Sequence, residues 1–199
     1  RQMCIRDSDN TIPVIATAAT PYMPTLVMNG GTLDLRGFNQ ATAALSSQNQ
    51  LPGLGGNIIN STGTLATYTT AAGGNSVYSG VLSGSLNFTR SGNNTTTLTA
   101  ASTFTGATTI RGGILELRDL GALSNTSGVN AQFGLLQLNE QALYSGVTRL
   151  PAGLPLTLAG ATLNVLGNQT ATSVGTASVV GGQSTLNVSP MTGNVAVSS

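Results

Sequence analysis

The sequence contains no histidine, no tryptophan and no lysine, and it carries a single cysteine. Its ionic side chains make up only 7% of 199 residues, against roughly 25% in ordinary globular domains. Each absence removes a chemistry. Without histidine there is no Ser-His or Cys-His nucleophile pair and no imidazole metal ligand; without lysine there is no Schiff base. Cys4, being alone, cannot close an internal disulfide. Seven arginines set against six acids leave a net charge of +1. That balance lacks the clustered cations that phosphate neutralisation requires, so nucleic acid is excluded as a partner. No apolar run approaches the roughly 18 residues of a membrane-spanning helix, because Thr, Asn, Ser or Gly interrupts every one. Neither a cofactor nor a metal is expected.

What remains is small, polar and neutral: 29 Thr, 19 Ser, 17 Asn and 26 Gly. Apolar residues still reach 40%, enough to bury a core along one extended domain. Residues 1–9 hold Arg1, Arg6, Asp7, Asp9 and the only cysteine. They read as flanking sequence foreign to the rest, and the chain divides into a non-repeat start, 1–25, and a repeat domain, 26–199.

Within the repeat domain a short phrase recurs, a glycine turn followed by Leu-x-apolar. Its sharpest copies are Gly30-Gly31-Thr32-Leu33-Asp34-Leu35 and Gly112-Gly113-Ile114-Leu115-Glu116-Leu117. Looser copies place their first leucine at Leu65, Leu86, Leu136, Leu163 and Leu186. The mean interval is about 25 residues, within the range of solenoids. Alternation makes Leu33 and Leu35 point inward and Asp34 outward, and it assigns Ala66, Asn87, Glu116, Gln137, Asn164 and Asn187 to the same outer position. Ser76-Val77-Tyr78, Thr95 to Thr99, Ala107 to Ile110 and Ser178-Val179-Val180 read as further strands. Two or three strands per repeat predict an all-β parallel β-helix, in which outward Asn87, Asn164 and Asn187 would stack as amide ladders. The stretch Leu51 to Asn57 reads as an insertion between coils.

The stretch Thr103-Phe104-Thr105-Gly106-Ala107-Thr108-Thr109-Ile110-Arg111-Gly112-Gly113-Ile114-Leu115-Glu116-Leu117 resembles the repeat of bacterial autotransporter passenger domains, typically written TYTGATTINGGTLQL. Tyr78-Ser79-Gly80-Val81-Leu82-Ser83-Gly84 is similar to that family's FSGVISG phrase. The resemblance implies a secreted or surface-displayed right-handed parallel β-helix that serves as a stalk or adhesive surface for extracellular glycans or proteins. It also implies a translocator barrel elsewhere in the full-length protein. The chain is expected to be an internal slice of a longer array, and the isolated slice to self-associate through its uncharged C-terminal end.

Two acid-arginine phrases, Leu33-Asp34-Leu35-Arg36 and Leu115-Glu116-Leu117-Arg118, supply the candidate contact positions Asp34, Arg36, Glu116 and Arg118. A planar guanidinium beside a carboxylate suits hydroxyl-rich ligands. The competing explanation is that repeats copy their solvated positions along with their core. An enzyme reading, a fragment of a β-helical polysaccharide hydrolase or lyase, needs a carboxylate pair about 5 to 9.5 Å apart. The acids after residue 9 are Asp34, Glu116, Asp119 and Glu140. Glu116 and Asp119 lie on opposite strand faces unless Asp119 is already in a turn, so no catalytic residue is expected.

Overall fold

The computed structural model describes residues 20–71, 74–167 and 173–189, together with short strands at 2–4, 15–17 and 196–198. Most of the foreign-looking start, residues 1 and 5–9, lies outside the described residues. Every regular element described is a β-strand, and the parallel strands stack as a solenoid of about seven turns.

The chain opens with β1 (Gln2–Cys4) and an antiparallel hairpin, β2 (Ile15–Thr17) and β3 (Thr20–Tyr22). The coils from β4 to β18 then each add one strand to each of three columns in turn. The opening coils are β4 (Leu26–Val27), β5 (Thr32–Asp34), β6 (Gln40–Thr42), then β7 (Leu45–Ser46), β8 (Asn57–Asn60), β9 (Ala66–Ala71). Next come β10 (Ser76–Tyr78), β11 (Val81–Gly84), β12 (Leu86–Ser91), and β13 (Thr95–Leu98), β14 (Ala101–Ser102), β15 (Thr108–Ile110). They are followed by β16 (Ile114–Leu117), β17 (Ala122–Leu123), β18 (Val129–Gln132). From β19 (Leu135–Asn139) onward the middle strand is lost: β20 (Pro155–Ala159), β21 (Thr162–Leu166), β22 (Ser173–Gly181), β23 (Thr185–Ser189) and β24 (Ala196–Ser198) alternate between the other two columns. The first column runs from β10 to β23 as a six-stranded sheet, joined to β7 by the bond from Ser47 N–H to the Val77 carbonyl at 2.8 Å. The second links β1, β5, β8 and β11, and continues to β14 through Thr103 N–H and the Leu82 carbonyl at 2.8 Å. The third is an eight-stranded sheet from β6 to β24.

The coil length is set by register. In the third column Tyr68, Phe88, Thr108 and Val129 stand on one another at intervals of 20, 20 and 21 residues. The longer mean interval in the sequence comes from two additions to this coil: residues 47–56, which hold the Leu51 to Asn57 insertion up to Gly56, Asn57 being the first residue of β8, and residues 140–154. Turns need glycine where backbones crowd. Gly113, at φ +61, is one such place, since a Cβ there would strike the carbonyl oxygens of Asn94 and Gly92.

Side chains pointing inward build the core as ladders. Leu115, Leu136 and Leu163 are stacked in register and buried, as are Leu117, Leu138 and Val165. Each contributes about 1.5–3 kcal/mol through removal from water. Tyr68 and Tyr78 also lie inside, their hydroxyls engaged by Thr42 Oγ1 at 2.8 Å and the Gly56 carbonyl at 3.0 Å.

Two expectations are corrected. The repeated leucines do not form one column: Leu33 sits in the second, Leu86 in the third, and Leu115, Leu136, Leu163 and Leu186 in the first. The phrase around Leu65 is also out by one residue. Leu65 is 52% exposed, whereas Ala66 and Tyr68 are buried, because Ala66 pairs with the inward Leu86 and a one-residue slip reverses every face.

These assignments predict opposite outcomes for two leucines. Leu65→Ser should change stability by no more than about 0.5 kcal/mol, and Leu136→Ala should cost about 2–5 kcal/mol. Chemical denaturation of the two variants measures both.

Candidate functional site

Glu116 leaves β16 on the outer face, between inward Leu115 and Leu117, yet it is only 8% exposed. In-register stacking explains this, because Thr97 and Gln137 lie directly on either side of it. Thr97 Oγ1 donates to Glu116 Oε2 at 2.8 Å, and the amides of Gln137 and Asn139 each donate to Oε1 at 2.8 Å. Asn164 Nδ2 donates in turn to Gln137 Oε1 at 2.9 Å, and Asn187 follows in register. A hydrogen-bonded outer ladder therefore exists, with Gln137 and Asn164 as its amides. Asn87 is not part of it. It stands in the third column and accepts the Ala107 N–H at 2.9 Å.

Burial alone would raise the Glu116 carboxyl, but hydrogen bonds from Asn139, Thr97 and Gln137 and the charge of Arg118 bring it below the usual carboxylate range. Asp34 behaves alike in the second column. It is 3% exposed and accepts Ser61 Oγ at 2.6 Å and the Ser61 and Arg36 N–H groups at 3.1 Å. Burial raises its carboxyl, and these bonds with the Arg36 charge lower it by more.

The expectation that Asp34, Arg36, Glu116 and Arg118 are equivalent exposed contacts is thus corrected. Arg36 is exposed and Arg118 half-buried, but both acids are covered by neighbours that hydrogen-bond to them. The two phrases also occupy different columns.

Asp119 is already in the turn, at φ +56. Arg118 lies between the two acids, with Nε 3.3 Å from Asp119 Oδ2 and Nη1 4.0 Å from Glu116 Oε2. Asp119 Oδ1 accepts the N–H of Leu143 at 3.1 Å and so ties the long 140–154 insertion to the coil before it. Inside that insertion is a buried ion pair that sequence reasoning missed. Arg149 Nε meets Glu140 Oε1 at 2.5 Å, while its other nitrogens donate to the Gly121 and Asn139 carbonyls at 2.8 and 2.7 Å. The lengthened interval between Leu136 and Leu163, with one acid and one arginine inside it, was the available signal.

Arg90 was missed as well. It points inward with Leu86 and Phe88, donates to the Asn94 carbonyl, and forms no ion pair with a described carboxylate. Burial lowers its pKa. Among the described residues, no three of His, Cys, Asp and Glu gather as a metal-ligand set.

Over 122 residues, 59% of the chain, the sequence is 38% identical to the Adhesin BmaC autotransporter of Brucella suis biovar 1 (strain 1330). The match and the stacked parallel solenoid fit an autotransporter passenger domain. The chain spans only 4% of that relative's length. No protein-family model matches the chain, and neither does any solved structure. The arrangement found is a nearly uncharged hydrogen-bonding wall whose described carboxylates are already engaged.

Three outcomes follow from these contacts. Glu116→Ala should cost about 1–3 kcal/mol, because the Thr97, Gln137 and Asn139 donors lose their acceptor. Glu140→Gln should cost more, about 3–5 kcal/mol, since it leaves Arg149 buried and unpaired. Both are measurable by denaturant titration. The third concerns acid. Asp34 and Glu116 have folded pKa values below their unfolded ones, about 3.9 and 4.3, so the unfolded state takes up protons first. Their contribution is present above about pH 4.3 and is lost as pH falls through the folded values. Thermal melts between pH 2 and 7 should show this acid limb, and the Asp34→Asn, Glu116→Gln double variant should be less stable at pH 7 with a shallower limb.

Proposed function

We propose that the chain is a non-catalytic segment of a cell-surface passenger stalk that presents adhesive contacts to extracellular glycans or proteins. The observation that carries this reading is the sequence match to an autotransporter adhesin over a chain that folds as a parallel solenoid. Support also comes from the carboxylates. Asp34 is held by Ser61, Glu116 by three side chains, Asp119 by Arg118 and Glu140 by Arg149. Acid-base hydrolysis needs one carboxylate free to give a proton and another to take one, and a lyase needs clustered acids with a free base. The alternative, a fragment of a β-helical hydrolase or lyase, has less support for that reason.

The proposal includes secretion to the cell exterior, a translocator barrel in the full-length protein, and a repeat domain spanning 26–199 behind a start at 1–25, although Gln2–Cys4 already pairs with β5. It also includes self-association of the isolated chain. Among the described residues β23 is the last strand of its sheet and exposes Leu186 and Val188, and such an edge is the kind that recruits another strand.

Beads coated with the chain should adhere to animal cells above beads coated with an unrelated protein. Incubation with neutral and acidic polysaccharides should release no reducing ends and no unsaturated products. Turnover that disappears in Glu116→Gln would favour the enzyme reading instead.

A further inference from the structure

We infer that the corner between the third and first columns carries a binding site for a carboxylated saccharide, with Phe133 as its platform and Arg111 as its anion contact. The inference rests on the adhesive reading above and names the partner class and the place.

Phe133 joins β18 to β19 and is 80% exposed, in a chain with 4% aromatic residues. Its backbone is left-handed, at φ +55, a conformation in which a bulky side chain is an outlier and which is retained where it serves a purpose. Here the conformation turns the ring out of the core and lays it beside the next coil. A Cβ added at Gly160 would come within 3.1 Å of the ring. Gly112 holds the position equivalent to Phe133 in the coil before, where a Cβ would stand 2.8 Å from the Gly92 carbonyl oxygen. The ring therefore stands between glycines of the coils before and after it, and its flank is open to a flat ligand.

Two exposed polar side chains at this corner have no partner among the described residues. Arg111, one coil before Phe133, is exposed, and its guanidinium forms no ion pair or hydrogen bond among the described residues. Gln132, the residue before Phe133, is exposed. The described carboxylates lie at other corners: Asp34 precedes the turn from the second column to the third, Glu116 and Asp119 flank Arg118 where β16 ends, and Glu140 follows β19 and pairs with Arg149. The corner's local charge is positive only, with Arg111 outside and Arg90 just within, joined by the Arg111 N–H to Arg90 carbonyl bond at 2.8 Å.

That combination selects the ligand. A single ring bordered by glycine, arginine and glutamine lacks the contiguous apolar core that protein interfaces need. It matches the apolar C–H face of a pyranose laid on an aromatic ring. The unpaired guanidinium is a planar fork of donors suited to a carboxylate, and Gln132 offers both a donor and an acceptor to hydroxyls.

The test is calorimetric titration of the whole chain with sialyllactose, a hyaluronan tetrasaccharide and neutral lactose. At least one carboxylated probe should bind, with lactose at least tenfold weaker. Phe133→Gly should lower that affinity at least tenfold while the melting temperature holds or rises, because glycine takes φ +55 without strain. Arg111→Gln should abolish the preference for the carboxylated probe. Absence of binding by both carboxylated probes, unchanged affinity in Phe133→Gly, or a fall in melting temperature in that variant would overturn the site. Bead adhesion separates the two levels of inference. Adhesion that survives intact in Phe133→Gly removes this site and leaves the adhesive stalk standing; wild-type beads that fail to adhere remove the stalk reading itself.

Discussion

In-register parallel pairing is the constraint on which the rest of this molecule depends. With strands about 4.8 Å apart, the nearest neighbour of any side chain is the equivalent residue of the next coil, so each position must tolerate its own kind on both sides. Apolar residues meet that demand by forming ladders, as Leu115, Leu136 and Leu163 do. Ionic residues do not, because like charges directly opposite repel. A wall of threonine and amide side chains does, since each can donate to one neighbour and accept from the other. The low charge of the sequence is thus a consequence of stacking, and the one acid within the outer ladder, Glu116, is placed between donors rather than another acid.

The same constraint explains which features could be read from the sequence. Alternation within Leu115-Glu116-Leu117 disclosed the inward face, and the repeated glycine turn disclosed the solenoid. The number of columns was hidden, because the phrase used in the first column at Leu115 is also used in the second at Leu33 and the third at Leu86. Averaging over them merged three 20-residue ladders and two insertions into a single irregular period. Leu65 was misplaced because a glycine turn fixes where a strand begins only to within a residue, and one residue is enough to reverse its faces.

Burial on the outer face was harder to see. Asp34 and Glu116 do point away from the core, as alternation requires, but pointing outward in a stacked wall is not the same as meeting water. The covering groups come from coils 19 to 27 residues away in sequence: Thr97 and Gln137 for one acid, Ser61 for the other. Arg90 shows the converse. Alternation from Leu86 through Phe88 already puts it inside, and only the habit of assigning arginine to the surface conceals it. Its carbonyl partner, Asn94, belongs to the turn into the next column.

A wall built this way is poorly suited to specific recognition along its flat faces, where the hydrogen-bonding groups are spent on one another and the same pattern recurs coil after coil. Distinct chemistry arises where the chain leaves the stack. At corners a residue can take a left-handed backbone and turn outward, as Phe133 does, without disturbing a ladder. At insertions a loop can be added at the cost of a single anchoring set, and the Glu140–Arg149 pair with the Asp119 to Leu143 bond is such a set. Loop-closure cost grows only slowly with length, so insertions can lengthen and diversify while the 20-residue coil beneath them stays fixed. The division of labour is physical: columns supply length and rigidity, and corners and insertions supply whatever a partner can distinguish.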